Sequence, residues 1–180
     1  MAEVLNFEHN GITVNASESP EAMGGLGDNV IGLIGTAPKA DPLIPRNSPF
    51  RINSFTTQAL LDPTGAESGT LFHAVFQILK VAKVPVYVVI VEEGAAPADT
   101  INNVIGGIEP VTGRKLGLAA LSGVPEDLTI IGAPGFTGTK AVASEFASFG
   151  KRIKARVVLD GKDAAVADQV TYSQELGGAD

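Results

Sequence analysis

Residues 70–91 read "TLFHAVFQILKVAKVPVYVVIV", and this stretch decides the fold. In its first part Leu71, Val75, Ile78, Leu79 and Ala82 fall on one helical stripe, widened by Phe72 and Phe76. His73, Gln77 and Lys80 share the remaining polar face, spaced as a solvent-facing row. Its second part, residues 84–91, is almost entirely β-branched or aromatic and lacks polar alternation. Such a run suits a parallel strand covered on both faces.

The same texture extends in both directions. Upstream, "NVIGLIGTAP" (29–38) is an apolar run ending in turn chemistry. Between it and the helix, "DPLIPRNSPFRI" (41–52) follows Pro38 and adds Pro42, Pro45 and Pro49, so an irregular surface loop is expected there. Downstream, "EEGAAPAD" (92–99) closes the strand, with Asp99 expected to cap a short helix through Ile105. "GLAALSG" (117–123) reads as a further helical turn or two, and "DLTIIGAPG" (127–135) as a strand and turn. Val142, Phe146, Phe149 and Ile153 mark another helix, "ARVVLDG" (155–161) a strand, and residues 162–178 a last helix with Asp163 as cap and Gly177 as stop. Strands alternating with helices predict a three-layer α/β domain with a mostly parallel sheet, spanning residues 30–180.

Residues 1–29 differ in character. They are polar and glycine-rich, with one strand-competent segment, "GITVNAS" (11–17), followed by the linker-like "SESPEAMGGLGDN". They read as a flexible N-terminal arm. A lone strand is not stable in water, so it must pair with a sheet edge, its own or a neighbour's. Composition does not decide between the two.

Bulk properties exclude several functions. With 44% hydrophobic and 18% charged residues, the 180-residue chain can build a buried core. A net charge of −7 disfavours nucleic acid, whose phosphates need a basic surface. The absence of cysteine removes disulfides, thiolate metal sites and cysteine nucleophiles, and two distant histidines, His9 and His73, disfavour an imidazole zinc site. Residues 1–10 lack a signal peptide's basic start and apolar run, and residues 84–91 are too few to span a bilayer, so a soluble cytoplasmic product is expected.

The candidate sites are few. "IIGAPGFTGTKAVAS" (130–144) runs from strand through glycine-rich turn to helix, as phosphate loops do. Measured from Gly132, however, the second glycine of that pattern falls on Thr137, and Lys140 is displaced by one from its place after Gly138. A dinucleotide fingerprint fails at Ala133, so a βα turn capped by Thr137 or Thr139 is the plainer reading. Glu92, Glu93 and Asp160 each leave an apolar strand at what would be the carboxyl edge, where ligands bind, and together could hold magnesium. The plainer reading is that polar residues begin wherever buried strands exit. "KRIKAR" (151–156) concentrates positive charge, as a helix C-terminus does. His73 could serve as a general base, but its polar row favours a surface role.

Taken together, "FEHNGITVN", "VIGLIGTAP", "SGTLFHAVFQILKVAKVPVYVVIVEEG", "VIGGIEPVTGRKLGLAAL" and "LTIIGAPGFTGTKAVASEFASFGKRIKARVVLDG" resemble, in the same order, the tail sheath proteins of contractile phage tails and R-type bacteriocin particles. The resemblance is collinear and spans nearly the whole chain. It implies a structural subunit of the virion tail or bacteriocin particle, made in the bacterial cytoplasm. Such subunits polymerise around an inner tube and contract to drive it through a cell envelope. It implies no enzymatic activity, no cofactor and no membrane insertion. The expected partners are other sheath copies, the tube and baseplate proteins. Gly11, Ile12, Thr13 and Val14 would be interface-strand residues exchanged between subunits. Family members are longer, so the domain at 30–180 is expected to be incomplete relative to them. The alternative is an α/β nucleotide- or metal-binding enzyme using Glu92, Glu93, Asp160 and the "GAPGFTG" turn.

Overall fold

The computed structural model describes residues 29–161 and 166–177. Within them the stretch that decides the fold forms helix then strand, as its pattern predicts. In chain order the elements are β1 (Ile31–Thr36), β2 (Pro49–Ile52), a short helix α1 (Phe55–Gln58) running into a 3₁₀ turn, and α2 (Leu71–Val81). Next come β3 (Val86–Val91), α3 (Pro97–Ile105), a small hairpin of β4 (Gly107–Ile108) and β5 (Lys115–Leu116), and a 3₁₀ segment (Gly117–Gly123). The chain continues through β6 (Ile130–Gly132), α4 (Lys140–Ile153), β7 (Arg156–Val158) and α5 (Val166–Gly177).

Five strands form one sheet in the order β2-β3-β1-β6-β7. The pairings β1–β3, β1–β6 and β6–β7 are parallel, and only β2 joins β3 antiparallel. The expected mostly parallel α/β sheet flanked by helices is therefore present. β3 is buried at all six positions, which is why it lacks alternation. Val86, Val88 and Ile90 face α2 with Leu33, Ile52, Leu71 and Val75. Tyr87, Val89 and Val91 face the opposite cluster, where Val104 of α3 and Val142, Phe146 and Phe149 of α4 pack on Ile34 and Ile131. Each fully buried side chain of this size stabilises the fold by roughly 1.5–3 kcal/mol relative to its exposed state.

Two expectations need correction. The proline-rich stretch 41–52 is not wholly irregular, because its end forms β2 at the sheet edge. Pro49 opens that strand, a position where a missing N–H is tolerated, and Ile44 and Ile52 anchor the segment in the core. Asp99 does not occupy the cap of α3. Ala96 does, with Pro97 as first helical residue, and Asp99 reaches back so that its Oδ2 accepts the Ala96 N–H at 3.2 Å. The expected arm, residues 1–29 with Gly11, Ile12, Thr13 and Val14, lies outside the described residues except for Asn29, as does Asp163.

The two ends of α2 are buried unequally. Leu71 and Val75 are sealed, Ile78 and Leu79 are half-buried, and Val81 is 88% exposed. Beside this looser end an apolar groove of about 320 Å³ runs over Ile31, Leu33, Ile130 and Val158.

Candidate functional site at the carboxyl edge

β1, β3 and β6 run parallel and end at one edge, and the strand order places β1 between its two chain-distant neighbours. The connection after β1 returns on the α2 face and the connection after β3 on the α3 face, so the strand order reverses at the end of β1. Open α/β sheets leave a crevice at such a point. Here it is a cavity of about 480 Å³ whose walls include Thr36, Thr70, Glu93, Thr100, Gly135 and Thr139. The walls come from the end of β1 and from the segments that start α2, α3 and α4.

Beside the cavity, the "GAPGFTG" turn is closed by its own protein. Oδ2 of Asp160 accepts the Gly135 N–H at 2.8 Å and the Thr137 hydroxyl at 2.9 Å. The Asp160 N–H in turn donates to Thr137 Oγ1 at 2.6 Å, and the Tyr172 hydroxyl of α5 donates to the Thr137 carbonyl. Thr137 is fully buried. Gly135 has φ +83°, a conformation that glycine adopts without a Cβ penalty. A carboxylate thus sits where an anion-binding turn would place a phosphate oxygen. Burial, and then the charge of Asp160, push the Tyr172 phenol above its usual range.

The strand-end acids are split. Glu93 lines the threonine-walled cavity, whereas Asp160 is engaged with Thr137 and borders the apolar groove. Glu92 is exposed, and its carbonyl accepts from Asn103 Nδ2 at 2.9 Å. Among the described residues no group of three or more His, Asp or Glu side chains is placed to hold a metal ion. His73 is exposed and lies 3.5 Å from Glu67. Lys151 and Arg152 end α4, where cations complement the helix dipole, and the Arg152 guanidinium rests 4.8 Å over the Phe149 ring. Thr139 takes the cap position of α4 without a side-chain cap bond, and Thr137 binds Asp160 instead of capping.

Sequence reasoning passed over Asp62. This buried carboxylate accepts from the Thr64 N–H at 3.0 Å and the Thr64 hydroxyl through Oδ1, and from the Ser68 N–H at 2.9 Å and hydroxyl through Oδ2. These bonds, the Thr64 hydroxyl foremost, hold its pKa at about 2. They fold residues 62–68 into the loop that delivers Gly69 and Thr70 to the cavity wall. The Asp-Pro-Thr-Gly run is Asx-turn chemistry and could have signalled it.

The chain matches no protein-family model and no curated protein. Among the described residues no helix is long and apolar enough to cross a membrane.

Proposed function

We propose that this chain is a structural subunit of a contractile tail sheath, contributing an α/β block and an N-terminal strand for exchange with other copies around an inner tube. One observation carries the reading. The segments that resemble sheath proteins follow one another in the family's order, and they coincide with β1, with α2 and β3, and with β6, α4 and β7, which include four of the five strands of the central sheet. The "GAPGFTG" turn supports a structural role as well, since Asp160 saturates its Gly135 N–H and Thr137 hydroxyl.

In this reading the work of contraction is stored in subunit interfaces, and the chain hydrolyses no nucleotide. The arm serves neighbours. Deleting residues 1–29 and comparing the two proteins by sedimentation velocity and calorimetric melting tests this. The intact chain should self-associate, the shortened chain should not, and their melting temperatures should agree to within roughly 2 °C. A monomeric intact chain whose melting temperature collapses on deletion of the arm would show that the arm completes its own sheet, and would end the proposal.

A further inference from the structure

The cavity at the end of β1 holds a hydrogen-bonding imbalance. Thr36 is 2% exposed, lies on the same face of β1 as the buried Ile34, and lines the cavity. Its N–H donates to Thr70 Oγ1 at 3.3 Å, yet its hydroxyl has no partner among the described residues. A buried hydroxyl left unpaired is costly, and native structures rarely keep one without a ligand or water to meet it. The neighbouring hydroxyls are biased in one direction. Thr70 Oγ1 accepts from Thr36, and Thr100 Oγ1 accepts the Gly94 N–H at 2.9 Å, so each has its hydrogen left to donate. Neither Thr70 nor Thr139 caps its helix with its side chain. The first-turn N–H groups of α2 and α4 therefore lack that partner, beside the same cavity.

We infer that this cavity binds a small oxyanion, of the phosphoryl class, through the hydroxyls of Thr36, Thr70 and Thr100 and the positive ends of α2 and α4. The walls present donors, so the ligand must be rich in acceptors. Helix N-termini favour negative charge. Among the described residues Glu93 is the one charged side chain on the wall; it is exposed and would lower affinity by repulsion. The site adjoins the Asp160 clamp at Gly135, whose N–H is already taken, but uses other donors and does not depend on the sheath reading.

The test is calorimetric titration of the full chain with inorganic phosphate at constant ionic strength. One saturable site is expected, with a dissociation constant on the order of a millimolar. Thr36→Val keeps the shape and removes the hydroxyl, and should weaken binding about tenfold without lowering the melting temperature. Thr36→Ser restores the hydroxyl and should restore binding, which holds the test open if the valine variant folds poorly. Glu93→Gln should tighten binding; weakening by this change would instead mark a cation site and overturn the inference. Absence of saturable binding, or undiminished binding by Thr36→Val, overturns it too. A nucleoside monophosphate that binds more tightly than phosphate assigns the remaining volume to an ester, and equal affinity assigns the site to the free ion.

Discussion

Thr137 and Thr36 are two buried threonines at the same sheet edge, and they have opposite fates. Thr137 exchanges hydrogen bonds with Asp160 in both directions, and its carbonyl receives Tyr172. Thr36 is nearly as deeply buried and lines the cavity, but its hydroxyl has no partner among the described residues. The difference separates two kinds of strand exit. One is locked by an internal carboxylate that ties the exits of β6 and β7 together, with Tyr172 of α5 bonded to the same Thr137. The other is left open between the starts of three helices. A glycine-rich turn can therefore be the closed, structural part of an α/β edge while a plain strand end supplies the open part.

The largest effect expected from this contrast is at the lock. Thr137→Val removes both side-chain bonds to Asp160 and should cost about 2–3 kcal/mol in urea unfolding. A loss no larger than that of Thr36→Val would erase the distinction. Gly135→Ala comes next. Its φ of +83° penalises a side chain, and a Cβ would meet Thr70 Cγ2 at 3.2 Å. A loss of about 1–2 kcal/mol is expected, and an unchanged stability would show that this turn does not require glycine.

Acid should weaken the loop that carries Thr70. The folded pKa of Asp62, about 2, lies below the ordinary aspartate value of 3.8. Its contribution is thus fully present above the unfolded pKa and is lost as pH falls through the folded one. Stability measured between pH 5 and about 2 should fall less steeply in Asp62→Asn than in the native chain. Equal slopes would exclude this carboxylate. The smallest effect belongs to Thr36→Val, which should stay within about 0.5 kcal/mol of the native chain or slightly above it, because no internal bond of the hydroxyl is broken. A loss as large as that at Thr137 would reveal a bonded hydroxyl and remove the contrast.

Much of this was legible in local pattern. The stripe of Leu71 and Val75 and the unbroken run of β3 named a helix and a doubly covered strand, and Val142, Phe146 and Phe149 named α4. These signals are strong because burial imposes a period on the residues themselves. β2 escaped notice because Pro42, Pro45 and Pro49 speak for a loop, and only pairing with β3 makes the last four residues a strand. The site was less legible. Glu92, Glu93 and Asp160 shared a strand-exit position, but shared position does not bring side chains together.

The sequence by itself determined the alternation of helix and strand, the parallel character of the sheet and the edge at which its strand exits gather, since hydrophobic periodicity is a property of neighbouring residues. Tertiary structure alone decided that Asp160 closes the turn at Gly135 and that Thr36 meets Thr70 through its N–H while its hydroxyl finds no partner among the described residues. Those outcomes depend on which groups meet across 23 residues of chain for Asp160 with Thr137, and 34 for Thr36 with Thr70, and no local spacing encodes such meetings.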